Sequence, residues 1–100
     1  MKPTISKLEF EKIKKEALII DVRDRLEHQA LPKLPNGINI PYEELIAEPE
    51  KYLKDKNKLT ITYCNFGNRS GKAASFLREK GYSRAFVLEG GIENYLKNNL

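Results

Sequence analysis

Short β-branched runs alternate with amphipathic stretches along this chain. That order predicts an α/β architecture: three layers, α/β/α, around a central, mostly parallel sheet of four to five strands. Two further observations point the same way. The run at residues 18–22 is apolar, β-branched and hydrophobic on both faces, as a buried parallel strand would be. One hundred residues, 40% of them apolar, suffice for one core, and residues 1–100 read as a single domain without repeat, low-complexity tract or linker.

Ile5 is placed to add an edge strand. Ser6 and Glu9 have the spacing of a capping box, and Leu8, Phe10, Ile13 and Ala17 follow at loosely helical intervals, so a first helix is expected over residues 7–15. Residues 18–22 form a buried strand. Residues 23–36 are polar and broken by Pro32 and Pro35, which reads as a loop with one helical turn. Residues 38–40 are a strand that Pro41 ends, and residues 42–54 read as one or two short helices interrupted around Pro49. After the strand at 59–63, Ala73, Ala74, Phe76 and Leu77 give residues 70–80 the apolar face of a helix, with Ser70 as its N-cap and Gly81 as its stop. A strand at 85–88 and a closing helix at 92–98 complete the chain.

The charge balance, 18 Lys and Arg against 14 Asp and Glu, is a modest excess of +4. The densest basic cluster, Lys12, Lys14 and Lys15, alternates with Glu9, Glu11 and Glu16, so it lacks the aromatic-interleaved stripe of a nucleic-acid binder. No nucleic-acid or membrane partner is expected. A small anionic substrate suits the field better. Residues 1–6 lack the apolar stretch of a secretion signal, and no run approaches the roughly 18 apolar residues of a membrane span. The expected compartment is the cytoplasm, where a free thiol stays reduced.

Cys64 is the only cysteine, which excludes an internal disulfide, a multi-cysteine zinc site and a Cys-x-x-Cys redox pair. No metal and no cofactor are expected. Cys64 closes a strand and opens the loop Asn65-Phe66-Gly67-Asn68-Arg69-Ser70 at the start of a helix. Ligands of open parallel sheets bind beyond the carboxyl ends of strands, and this loop lies at such an end. Gly67 permits positive φ, and Asn65 and Asn68 tolerate the left-handed region, so successive N–H groups can converge as an anion nest. Such a setting lowers a thiol from about 8.5 into the range of roughly 3.5–7.5. Arg69 either forks onto an anionic substrate or pairs with a carboxylate of the fold. Lys72 is expected in the first helical turn, where a cation opposes the macrodipole and adds to the potential of the site. Phe66 is expected as the lip that shields the sulfur. Asp21 and Arg23, at the end of the neighbouring strand, read as a supporting pair. With His28 the sole histidine and distant in sequence, activation is expected from the loop and not from a general base.

These residues resemble the rhodanese family of sulfurtransferases. The resemblance runs through four ordered blocks: residues 18–23 ending in Asp21-Val22-Arg23, residues 35–41 from Pro35 to Pro41, residues 63–70 with Cys64, Gly67, Arg69 and Ser70, and residues 87–95 with Gly90 and Gly91. Two positions depart from the family pattern. Pro32-Lys33-Leu34 replaces the usual Gly-His-Ile, which reshapes the flanking loop, and Tyr95 stands where tryptophan is usual. The resemblance implies catalysis by Cys64 with substrate held by residues 65–70. Sulfur from a donor such as thiosulfate would be carried as a Cys64 persulfide to cyanide, a small thiol or an acceptor protein. Alternatives are a persulfide relay or docking module without turnover on small donors, and a cysteine-based phosphatase or arsenate reductase. The loops of that last class place one residue more between cysteine and arginine than the four that stand here.

Overall fold

A computed structural model describes residues 3–97. Its elements are β1 (Thr4–Ile5), α1 (Lys7–Ile13) with a trailing 3-10 turn (Lys14–Glu16), β2 (Leu18–Asp21), α2 (Arg25–Ala30), β3 (Gly37–Asn39), α3 (Tyr42–Ala47), α4 (Pro49–Tyr52), β4 (Thr60–Tyr63), α5 (Asn68–Glu79), β5 (Ala85–Leu88) and α6 (Gly91–Lys97). The strands form one sheet in the order β1-β5-β4-β2-β3, every pairing parallel.

Both faces are covered, as the strand composition requires. Ile20 and Ala85 face a core with Leu45 of α3 and Ala73 and Leu77 of α5, while Ile19, Ile61, Tyr63 and Leu88 face a second core with Phe10 of α1 and Ile92 of α6. The alternation of Ile19 and Ile20 is the strand period of two, which sends neighbours to opposite layers. Tyr95 keeps the aromatic anchor: it meets Phe10 edge-on at 5.6 Å, and its hydroxyl donates to Glu11 at 2.7 Å.

The chain leaves β2 for its outer neighbour β3 and leaves β4 for β5 on the opposite side. The crevice between the carboxyl ends of β2 and β4 is therefore where the winding reverses, the place such sheets offer to ligands. In register, Asp21 pairs with Tyr63, so the residues just after each strand, Val22-Arg23 and Cys64-Asn65, come side by side.

Several expectations need correction. Residues 23–36 hold a six-residue helix, α2, because Asp24 and Glu27 form a complete capping box that the polar composition concealed. The helix expected over 70–80 starts at Asn68, with Gly67 at its cap in the left-handed region (φ 106°) and no side-chain cap. Ser70 is thus inside the first turn and is not the N-cap. Lys72 becomes the fifth helical residue, exposed and beyond the first turn. Of the loop residues only Gly67 has positive φ; among the described non-glycine residues only Asn36 does, so neither Asn65 nor Asn68 takes that conformation. The first helix ends at Ile13, and Asn98 of the expected closing helix lies outside the described residues.

Candidate functional site

Cys64 is 2% exposed and borders the apolar core on one side. On the other it lines a small cavity of about 100 Å³ with Asn65, Phe66, Asn68 and Arg69. Three donors surround the sulfur: the Gly67 N–H at 3.2 Å, the Ser70 N–H at 3.4 Å and the Ser70 hydroxyl at 3.2 Å. Burial pushes the thiol up. The Ser70 hydroxyl and the amides of Ser70, Gly67 and Arg69 overcome it, and the net shift is downward. The arrangement stabilises negative charge on sulfur by dipoles fixed before any ligand arrives.

The loop is held from behind by α6. The N–H groups of Ile92 and Glu93 donate to the carbonyls of Cys64 and Asn65 at 2.9 and 3.0 Å. Those carbonyls are thereby engaged away from the sulfur, which leaves the amides of the loop to face it. Close approach demands glycine at position 91: a Cβ there would lie 2.4 Å from the Asn65 carbonyl oxygen, and its φ is +68°.

From the β2 side, Arg23 and Asp21 are both fully buried. Arg23 forks onto the Asp21 carboxylate, its Nη2 at 2.8 Å, while Nη1 donates to Asn65 Oδ1 at 2.9 Å and Nη2 also reaches the Pro32 carbonyl at 3.0 Å. The guanidinium lies 5.5 Å from the centre of the Tyr63 ring. Burial pushes the Asp21 carboxyl up, but hydrogen bonds from Arg23 and His28 outweigh it and hold the group below the ordinary range. His28 sits on this carboxylate, Nδ1 to Oδ2 at 2.7 Å, and not on Cys64. Asn39 completes the corner by donating to the carbonyls of Asp21 and Arg23. The departed segment 32–34 is built in as well, since Leu34 N–H donates to the Tyr63 hydroxyl at 3.2 Å.

Arg69 pairs with a carboxylate of the fold: Nη1 and Nη2 reach the two Glu27 oxygens at 2.8 and 3.0 Å. Glu27 also accepts from Asn65 Nδ2 at 3.0 Å. Arg69 beside it, with the Asp24 amide and Asn65, lowers the Glu27 carboxyl to about 2 against the pull of burial. Phe66 stands at the lip but is 71% exposed, so it borders the cavity without closing it. Asn68 lines the cavity beside it. The structure thus groups Cys64 and residues 65–70 with Asp21 and Arg23 around one crevice, and leaves Lys72 out of the cavity lining.

Sequence reading missed Glu27, Asn39 and the α6 amides. For Glu27 a signal existed, the Asp24-x-x-Glu27 capping pattern, which would have put the carboxylate on an ordered turn. Among the described residues no group of three or more His, Cys, Asp and Glu side chains is placed to hold a metal ion, and no helix is long and apolar enough to cross a membrane.

Residues 5–98 match the rhodanese-like domain family. A rhodanese-related protein from Thermoplasma volcanium is 31% identical and superimposes with a TM-score of 0.84, over 96% of this chain and 92% of that one. The human single-domain sulfurtransferase TSTD1 is 28% identical with a TM-score of 0.80, covering 98% of both chains. Among curated proteins, the tRNA uridine(34) hydroxylase of Cytophaga hutchinsonii is 36% identical over 84 residues, which are 80% of this chain and 26% of that protein. This chain therefore spans about a quarter of the length of the curated relatives it matches.

Proposed function

This chain belongs to the rhodanese-like family, and on that premise we propose that it is a sulfurtransferase working through a persulfide on Cys64. The observation that carries the reading is the convergence of the Gly67 and Ser70 amides and the Ser70 hydroxyl on one sulfur whose thiol is shifted downward. A nucleophile of this kind needs no proton acceptor at the moment of attack. Cys64 thiolate attacks the outer sulfur of a donor such as thiosulfate; a sulfur–sulfur bond forms to Cys64 as the donor's own breaks, and sulfite leaves with the electron pair. The same donors then stabilise the terminal sulfur anion. Sulfur departs to a thiophilic acceptor, whether cyanide, a small thiol or a protein, because Cys64 has no second cysteine to resolve it. The reducing interior of the cytoplasm suits a lone thiol with this task.

A second reading is supported by the curated relatives, which contain a domain like this one within much longer chains. In it the domain relays persulfide sulfur within a larger reaction without turning over small donors. Mass spectrometry after incubation with thiosulfate, coupled to a cyanide assay, tests both. A one-sulfur gain lost in Cys64→Ser, with catalytic turnover to thiocyanate, supports the transferase; loading without turnover supports the relay. Retention of the gain in Cys64→Ser refutes the site.

A further inference from the structure

Of the described residues lining the sulfur cavity, Arg69 alone carries charge besides the Cys64 sulfur itself. Its guanidinium is already occupied, both terminal nitrogens being forked onto Glu27. Glu27 is not a loose counter-ion. Its carboxylate also accepts from the Asp24 amide at 3.0 Å, as half of the α2 capping box, and from Asn65 Nδ2, which ties it to the residue after Cys64. The neighbouring cation, Arg23, is matched in the same way by Asp21. An incoming anion therefore meets fixed amide dipoles and compensated ion pairs, with no uncompensated cation among the described residues that line the sulfur cavity.

We infer that Glu27 sets the charge of the sulfur donor, selecting singly charged sulfane-sulfur donors of the thiosulfonate or organic persulfide class over doubly charged ones. This rests on the sulfurtransferase reading above. The chemistry is the same for either charge. Cys64 thiolate attacks the outer sulfur, the donor's S–S bond breaks, and sulfite from thiosulfate, a sulfinate from a thiosulfonate or a thiolate from an organic persulfide leaves with the bonding pair; no proton or redox partner is needed. What differs is the repulsion between the donor and the Glu27 carboxylate, which doubles with donor charge. For a carboxylate on the order of 8 Å from the donor at a rim open to water, Coulomb's law gives a factor of roughly six for a dianion and about 2.4 for a monoanion.

Thiosulfate and methanethiosulfonate form a matched probe pair, alike in the bond that breaks and different by one charge. In Glu27→Gln at low salt, kcat/KM for thiosulfate should rise relative to methanethiosulfonate by roughly two- to threefold, mainly through KM, and molar salt should erase the difference. Should Glu27→Gln fail to fold, Arg69→Gln serves, since it leaves the carboxylate uncompensated and should shift the ratio roughly two- to threefold the other way. Equal changes for both donors, or a ratio insensitive to salt, would overturn the assignment and reduce Glu27 to a structural brace. Failure of the wild-type protein to gain sulfur on Cys64 from either donor is a separate result: it removes the sulfurtransferase reading, and this inference with it.

Discussion

Replacing Ser70 by alanine isolates one of the three donors on the sulfur. The residue is fully buried, its hydroxyl lies 3.2 Å from Cys64 Sγ, and the Thr62 hydroxyl, which donates to the Ser70 carbonyl at 2.8 Å, keeps that bond after the change. Alanine also suits a helix interior. A hydrogen bond to a charged group contributes about 1.5–3 kcal/mol, but the neutral thiol can donate to the same hydroxyl, so only the difference between the two states counts. At about 1.4 kcal/mol per unit, the Cys64 titration should move up by roughly one unit. The amides of Gly67 and Ser70, at 3.2 and 3.4 Å, remain to hold part of the original shift. The sign for stability follows. A thiol lowered in the fold stabilises it at pH above the unfolded-state value near 8.5, and that contribution fades as pH falls through the folded value; Ser70→Ala narrows the window from below. The assay is the pH dependence of iodoacetamide alkylation, read beside thiolate ultraviolet absorbance. A midpoint equal to or below that of the wild type would refute the reasoning, because the hydroxyl would then not favour the thiolate.

Two more substitutions probe the support of the loop. Gly91→Ala places a Cβ against the Cys64 and Asn65 carbonyl oxygens at 2.6 and 2.4 Å in a left-handed backbone, so it should lose both α6 hydrogen bonds. We expect a destabilisation of about 3 kcal/mol or more in urea melts, together with a raised Cys64 titration; a stable protein with an unmoved thiol would show that α6 does not position the loop. Asp21→Asn leaves the Arg23 guanidinium buried without its counter-charge. It should cost about 3–5 kcal/mol by the same melts, and a loss below about 1 kcal/mol would mean that Arg23 finds solvent or another partner.

Much of the architecture was legible because its causes are local. The Ser6–Glu9 capping box starts α1, the β-branched runs form the strands, and Gly81, with φ +98°, ends α5, each within the few residues that backbone propensity reaches. The loop after Cys64 was legible for the same reason, since composition alone marks a turn that can point amides inward. Detail failed at the boundary: the left-handed Gly67 lets α5 begin two residues earlier than Ser70 suggested, which turns Ser70 from a cap into a donor on sulfur.

What sequence by itself determined was therefore the order of layers, the place of the reactive sulfur and the kind of loop around it. Tertiary structure alone decided who partners the charges. Glu27 and Arg69 are 42 residues apart, and Arg23 and Asn65 likewise, so neither pairing has a local signature. An arginine in a polar loop has equal chemical claim to a substrate anion or a carboxylate. Only the parallel register, which sets the ends of β2 and β4 side by side and hangs α2 over the crevice, brings the carboxylate within reach and makes the choice.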